Sequence, residues 1–273
     1  MLLSVLALAT ALAPVQVPAG DVLVSDVAGH VRIVDSRGKL VRRLRWAFSR
    51  EVQAMELTPS RRGAFVSLYR SERPAELFRV NLTTGRKRKL ADGISPALSA
   101  DKSRLAYVTV EQRLDIKYRT ALVIRNLQTG ATRAVPFGPR VTTDTPPGEV
   151  INWAPDGRTV ALYDGSRTRL IEVANAADVP TQPALSDAGS APVFADAKTL
   201  VVMTGCCIGP QQLVAVDLRT GNRAPFATLT SPVEQVRRIH TGRLLVVSAL
   251  HSLTRVSRGH VRVLARRVLA AAP

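Results

Sequence analysis

The hydrophobic and polar positions of the chain alternate in short runs that are separated by turn residues, as is typical of β-strands. The pattern is clearest over residues 150–165, where Pro155-Asp156-Gly157 lies between two extended runs. Proline presets φ for the first central position of a turn, aspartate suits the second, and glycine accepts a positive φ. The next run, Thr159–Tyr163, is rich in β-branched and aromatic residues, as a half-buried strand would be. This stretch therefore predicts a tight β-hairpin.

Weaker copies of this hairpin recur along the chain. When the residue before the turn is aligned, the copies begin at Thr58, Ser99, Ala154, Phe194 and Ile239. A second turn signal follows most of the first ones, as in Val80-Asn-Leu-Thr-Thr-Gly85 and Val216-Asp-Leu-Arg-Thr-Gly221. Two hairpins in roughly 40–45 residues is the content of a four-stranded propeller blade. Because a blade cannot bury both of its faces alone, the copies are expected to stack around an axis.

The repeats predict an all-β fold with a single β-propeller over residues 20–273. Six four-stranded blades fit best, with five and seven as the neighbouring counts. Residues 21–45 supply three strands of blade one, and its inner strand is either residues 14–18 or missing. A loop is expected over residues 137–148, which contain Pro139, Pro146 and Pro147. Blades two to six are assigned to residues 51–92, 93–138, 149–185, 187–229 and 231–268.

The first 19 residues have the character of an export signal. They carry no charged side chain, and Leu2–Ala13 is almost wholly apolar. Their length and the small-residue pattern Val17-Pro18-Ala19 fit a secretory signal cleaved near Ala19, although the usual basic start is missing. An uncleaved anchor and an ordinary first strand are the alternatives. We therefore predict a signal peptide over residues 1–19 and a secreted or extracytoplasmic location, in the periplasm or cell envelope.

The repeats resemble those of TolB-type propellers, which are also called WD40-like Tol repeats. The resemblance is carried by residues 65–85 and by Trp153-Ala-Pro-Asp-Gly-Arg-Thr-Val-Ala-Leu-Tyr163, and it extends over residues 21–268. It implies a propeller fold, and the wider family includes exported partner-binding proteins and the gating domains of serine peptidases. The sequence departs from the TolB pattern in having no α/β domain ahead of the repeats. The resemblance therefore implies an exported Tol-like propeller, and not a role in a Tol–Pal complex.

The charge of the chain is strongly positive. The formal net charge is +17, and 32 of the 38 basic residues are arginine. No acidic side chain follows Glu234, whereas eight arginines do, so blade six is expected to be a positive sector. A domain this basic favours polyanionic partners. For an exported chain these are acidic lipid headgroups, cell-wall phosphates and carboxylated polymers rather than nucleic acid, and the alternative is a solvated basic surface.

One face of the predicted ring carries the loops between the second and third strands of each blade, together with the loops between blades. Basic residues recur in these loops, and we predict that they contact an acidic ligand: Arg70, Arg73, Arg113, Lys117, Arg119 and Arg167. In the alternative, these side chains are solvated or pair with Glu72, Glu111 and Asp115. The predicted partner is an envelope protein or an anionic polymer.

The two cysteines, Cys206 and Cys207, are adjacent and follow the second strand of blade five. Three interpretations stay open. They form a vicinal disulfide, which would be strained and easily reduced, or they are structural free thiols, or they take part in metal or redox chemistry. The vicinal disulfide is the favoured prediction.

Motifs of catalysis are missing from the sequence. It contains no Gly-x-Ser-x-Gly elbow, no His-Glu-x-x-His and no phosphate-binding Gly-Lys-Ser/Thr segment. Asp101, Asp156 and Asp196 recur at one turn position, which favours turn formation over acid–base chemistry. No cofactor and no metal is predicted. The expected function is that of a non-enzymatic binding scaffold, and the alternative is a propeller hydrolase or lyase that acts on a small acidic or sugar-type substrate in the central channel.

Overall fold

The chain is described by a computed structural model. The description covers residues 13–49, 51–70, 73–112, 117–141, 151–163, 167–174, 177–178, 185, 190–204, 210–231, 233–240, 243–248 and 252–273. No helix in these parts of the chain is long and apolar enough to span a bilayer.

The strands are short and follow one another as antiparallel meanders. In chain order they are β1 (Val22–Asp26), β2 (His30–Val34), β3 (Leu40–Ala47), β4 (Val52–Leu57), β5 (Gly63–Arg70), β6 (Arg73–Asn81), β7 (Lys87–Asp92), β8 (Ile94–Leu98), β9 (Arg104–Gln112), β10 (Lys117–Asn126), β11 (Thr132–Val141), β12 (Ile151–Trp153), β13 (Thr159–Tyr163), β14 (Thr168–Glu172), β15 (Ala177–Asp178), β16 (Ser190–Phe194), β17 (Thr199–Thr204), β18 (Gln211–Asp217), β19 (Arg223–Leu229), β20 (Val233–His240), β21 (Arg243–Ser248), β22 (Ser252–Ser257), β23 (His260–Arg266) and β24 (Val268–Ala272).

These strands form six four-stranded sheets that are arranged as the blades of a β-propeller. Blades two to six each take four consecutive strands, from β4–β7 to β20–β23. In blades two to six the first strand lies at the axis, and the fourth lies at the rim. The prediction of an all-β propeller with six blades is confirmed.

The ring is closed by the C-terminal strand, because β24 pairs with β1 and is the inner strand of blade one. The prediction that this inner strand is residues 14–18 or missing is therefore wrong, and blade six ends at Arg266 rather than at Val268. The register joins Leu23 to Ala272 and Val24 to Ala271. The side chains of β24 are small, and Val268, Ala270, Ala271 and Ala272 are at most 1% exposed. Small residues let this strand pack against β4 of blade two on one side and against β21 and β22 of blade six on the other.

The predicted loop between blades three and four begins later than expected. Residues 137–141 belong to β11, which pairs with β10 up to Lys117 and Val141. A bulge between Arg119 and Ala121 lets Pro136 and Pro139 fit in this edge strand, where a missing N–H costs no hydrogen bond of the ladder. The rest of the predicted loop, residues 142–148, lies outside the described residues.

The turn aspartates have the structural role that the sequence predicts. The Oδ1 atoms of Asp101, Asp156 and Asp196 each accept a hydrogen bond from the backbone N–H two residues later, at 3.1, 2.8 and 2.8 Å. The Ser99 and Ser103 hydroxyls also donate to Asp101, and these bonds lower the pKa of its carboxyl to about 2. The Asp101 carboxylate therefore stays ionised at neutral pH. All three aspartates stabilise their turns through these hydrogen bonds.

The core consists of apolar layers between neighbouring blades. Val, Leu, Ile and Ala fill most of it, and Trp153 acts as the large filler between blades three and four. Its indole N–H donates to the Ala97 carbonyl at 2.9 Å, and the Arg104 guanidinium lies 5.1 Å from the centre of its ring. Trp46 packs against the core of blades one and two and donates to the Leu82 carbonyl. Both tryptophans are therefore structural.

Part of the predicted signal segment packs into the core. Val15 and Val17 are 4% and 0% exposed and lie in the layer between blades one and two. The Arg61 guanidinium donates to the carbonyls of Val17 and Pro18 at 2.8 Å and to that of Pro273 at 3.3 Å. This one side chain therefore ties both ends of the described chain to blade two.

Candidate functional site

Five of the six predicted site residues have a described backbone, and each of these lies at or beside the end where the second strand of its blade leads to the third, which is one face of the ring. Arg70 and Arg73 are opposite each other at the end of the β5–β6 hairpin, and Lys117 and Arg119 lie at the start of β10. The side chains of these four residues are outside the described part of the structure, and so is all of Arg113. Arg167 is exposed just before β14. Their joint contact with an acidic ligand stays a prediction.

The cysteine pair stays a prediction as well. In the sequence, Cys206 and Cys207 fall between the end of β17 at Thr204 and the start of β18 at Gln211, and they lie outside the described residues.

A polar cluster at the axis was not predicted from the sequence. Arg237, on β20 of blade six, has a side chain that is only 5% exposed. Its Nη2 donates to the Pro96 carbonyl of blade three at 2.7 Å, and its Nη1 lies 3.5 Å from Oε2 of Glu56 on blade two. A single guanidinium therefore connects three of the six inner strands.

Glu56 has a strongly perturbed carboxyl. Burial raises its pKa to about 7, against the opposing effect of the positive charges of Arg237, Arg61 and Lys102. The side chain keeps 17% of its surface exposed, so a proton can reach it. A carboxyl with this pKa can exchange a proton near neutral pH, which is the property of a general acid or base.

An amide makes the corresponding contact on the other side of the axis. Nδ2 of Asn152, on β12, donates to the Pro192 carbonyl of blade five at 2.8 Å. Pro96 and Pro192 each follow a residue with positive φ, Ser95 at 53° and Ala191 at 51°, inside a bulged inner strand. This backbone conformation is rare for residues other than glycine, and each bulge presents a proline carbonyl to a side chain from another blade.

The repeat alignment contains a signal that could have revealed this cluster. Glu56, Asn152 and Arg237 occupy the same position, two residues before the aligned turn residue. An inner strand that is buried on both faces should be apolar there, and Ala97 and Pro192 take the position in the other two copies. Polar residues at one aligned buried position therefore indicate a cluster on the axis.

A pocket opens on the same face as the predicted loops, at the seam between blades six and one. Its volume is about 360 Å³, within the usual range for small-ligand sites. The β1–β2 turn and the first part of β2 form one wall, and the link from β23 to β24 forms another. The pocket is lined by Asp26, Ala28, His30, Val31, Arg32, Arg43, Leu44, Arg266 and Arg267.

The arginines of this pocket come from two distant parts of the chain. Arg32 and Arg43 are opposite each other on β2 and β3, and Nη2 of Arg32 donates to the Arg266 carbonyl at 3.0 Å. Arg266 and Arg267 reach the pocket because β24 crosses from blade six to blade one. We call this group of four side chains the seam arginines. Sequence reasoning missed it because it did not assign β24 to blade one.

No group of three or more His, Cys, Asp or Glu side chains that could hold a metal ion occurs among the described residues.

Comparison with solved structures places the ring in a known fold group. TolB from Acinetobacter baumannii superposes with a TM-score of 0.63 at 13% identity, over 92% of this chain and 65% of that one. The fold is that of a TolB-like propeller. A TolB-type protein from Agrobacterium tumefaciens gives 0.62 at 13% identity, over 90% of this chain and 88% of that one. The chain thus spans 65% of the length of the Acinetobacter protein.

The TolB-like propeller also resembles an enzyme. An oligogalacturonate lyase, solved in complex with manganese, gives a TM-score of 0.55 at 14% identity, over 87% of this chain and 70% of that one. No family model matches the sequence, and neither does the sequence of a curated protein. At these identities the likeness establishes the fold and leaves the ligand to be argued from this chain's own residues.

Proposed function

We propose that the chain is an exported, non-enzymatic propeller that acts as a scaffold and binds an anionic component of the cell envelope through blades six and one. The observation that carries the proposal is the distribution of charge. Residues 231–273 contain eight arginines and one acidic residue, Glu234, and residues 20–49 contain six basic residues against three acidic ones. Two neighbouring blades therefore hold ten of the seventeen net positive charges.

The positions of exposed apolar side chains also favour binding at blades six and one. Among the described residues, the exposed large apolar side chains all lie on blades one and six. They are Val27, Leu40, Val41, Val261 and Val263, and each is 39–52% exposed. Exposed apolar groups beside arginines are typical of binding surfaces. We therefore place binding at blades six and one, with the predicted arginines of the loop face, Arg70 and Arg73 among them, as the competing location.

Export is proposed from the composition of residues 1–19 and from the resemblance of the repeats to exported propellers. The structure adds a constraint on processing. Cleavage after Ala19 would remove Val15 and Val17 from the core between blades one and two. We therefore place the mature N-terminus before Val15, in or near Ala11-Leu12-Ala13. Cell fractionation with N-terminal sequencing of the exported protein tests this assignment.

Retention on an immobilised anionic polymer tests the binding function. We expect the wild type to bind poly(glycerol phosphate) at low salt and to elute as salt screens the charges. Charge reversal at two exposed positions of blade six, R258E/R262E, should weaken binding at least about tenfold, since each basic residue near an anionic surface contributes about 1 kcal/mol.

Two matched variants complete this experiment. R86E/R88E reverses two exposed charges on blade two and should leave retention within about twofold of the wild type. R70E/R73E tests the loop face that the sequence predicts. Equal losses in all three variants, or a wild type that is not retained at low salt, would contradict binding through blades six and one.

Lyase or hydrolase activity is the second candidate, and Glu56 is the observation that favours it. A carboxyl whose pKa is raised to about 7 lies at the axis of the ring, and the fold resembles that of an oligogalacturonate lyase. Turnover of oligogalacturonate that disappears in E56Q would replace the scaffold proposal by this one.

A further inference from the structure

We propose that the pocket between blades six and one binds a phosphate group carried by a larger molecule. The inference rests on the proposed binding function and makes it specific, because it names the chemical group that is recognised and the side chains that hold it.

The pocket carries an excess of positive charge that the described residues do not neutralise. The side chains of Arg43, Arg266 and Arg267 make no hydrogen bond or ion pair with any residue that the structure describes. Asp26 is the acidic residue of the lining, and its Oδ1 already accepts from the N–H groups of Ala28 and His30 at 2.9 and 3.0 Å. Four arginines therefore line the pocket with one acidic residue, and one oxygen of that carboxylate accepts from its own turn.

The arrangement of Arg32 is suited to an anion. It lies directly opposite Arg43 on the neighbouring strand, a position in which like charges destabilise a sheet. Its Nε is buried and has no hydrogen-bond partner among the described residues, although a buried donor without a partner costs free energy. The bond from Nη2 to the Arg266 carbonyl holds the guanidinium in place. A bound anion would relieve the repulsion and give Nε an acceptor.

Phosphate fits this arrangement better than carboxylate does. A phosphate group is tetrahedral and offers up to three free oxygens, so it can accept hydrogen bonds from both walls of the pocket. A carboxylate is planar and is satisfied by one guanidinium fork. The volume of about 360 Å³ leaves room for the group to which the phosphate is esterified. A lipid headgroup and a soluble phosphate ester share this chemistry.

Titration calorimetry with glycerol 3-phosphate at fixed ionic strength tests the site. We expect R32Q and R43Q each to weaken binding about tenfold or more, because a charge-assisted hydrogen bond contributes about 1.5–3 kcal/mol. The control is R42Q, which removes the same charge from the exposed neighbouring position of β3, outside the pocket, and should change affinity less than twofold. Because Arg43 is exposed, its substitution should not disturb folding, so R43Q keeps the test valid if R32Q does not fold.

Further arms distinguish the sources of the phosphate. Co-sedimentation with phosphatidic acid vesicles that is lost in R43Q but kept in R42Q would identify a lipid headgroup. Binding of glycerol 3-phosphate without sedimentation would identify a soluble ester or a wall polymer. Equal losses in R43Q and R42Q, or binding of galacturonate as tight as that of glycerol 3-phosphate, would overturn the phosphate site.

The outcome is separable from that of the proposed function. Suppose that the wild type binds glycerol 3-phosphate, that R43Q does not, and that the wild type fails to bind the anionic polymer. This result supports the phosphate site and contradicts the envelope-binding scaffold. If the wild type retains the polymer while glycerol 3-phosphate binds wild type and R43Q equally or not at all, the binding scaffold is supported and the phosphate site is contradicted.

Discussion

Removal of residues 268–273 should abolish the cooperative unfolding of the protein. The truncated chain loses β24, whose four pairings with β1 complete blade one. It also exposes the layers that this strand covers between blades one, two and six, because β24 contacts β4, β21 and β22. The lost burial and hydrogen bonds together amount to at least about 5 kcal/mol, which is as large as the whole stability of many domains. Thermal unfolding followed by circular dichroism measures the effect.

A circular permutant separates loss of the strand from any effect of moving the chain ends. It joins residue 273 to residue 13 through a flexible linker and opens the chain at the exposed turn 219–220. All four strands of blade one are kept, so we expect a cooperative transition close to that of the wild type. A truncated chain that unfolds like the wild type would show that β24 does not close the ring.

The variant R237M should lower the free energy of unfolding by about 3–5 kcal/mol, the usual effect of removing one partner of a buried ion pair. The substitution leaves the Glu56 carboxylate without its arginine and removes the 2.7 Å hydrogen bond to the Pro96 carbonyl. Methionine keeps much of the side-chain volume, so the loss reports on charge and hydrogen bonding more than on a cavity. Urea denaturation at pH 9 gives the value, because the pKa of Glu56 is about 7 and its carboxyl is ionised at that pH in the wild type.

The double variant E56Q/R237M is the matched control. With both charges gone, no unpaired ion is left at the axis, and we expect more than half of the loss to be recovered. An R237M protein within about 1 kcal/mol of the wild type would mean that the axial cluster contributes little to holding blades two, three and six together.

The repeats predicted most of the fold because turn chemistry is local. Pro155-Asp156-Gly157 fixes its hairpin through the φ preferences of three residues and one side-chain hydrogen bond to the Arg158 N–H. The same reasoning identified Asp101 and Asp196 as turn residues. Five blades repeat the first turn signal and most of them repeat the second, so the spacing was enough to predict four strands per blade and six blades.

Ring closure depends on a contact that carries no local signal. The run Val268-Leu-Ala-Ala-Ala has no turn motif of its own and follows blade six without a break. What makes it an inner strand of blade one is the space that β1 leaves open, more than 240 residues earlier in the chain. The seam arginines were missed for the same reason, because Arg32 and Arg266 meet only after the ring has closed.

A designed disulfide tests ring closure by the C-terminal strand most directly. Val24 and Ala271 are paired across β1 and β24, and paired Cα atoms of antiparallel strands are about 4.5–5.5 Å apart, within the range that a disulfide spans. In a chain with Cys206 and Cys207 replaced by serine, we predict that V24C/A271C links on mild oxidation and loses two hydrogens in mass, whereas each single variant keeps its thiol. A folded double variant that stays reduced would contradict the closed ring.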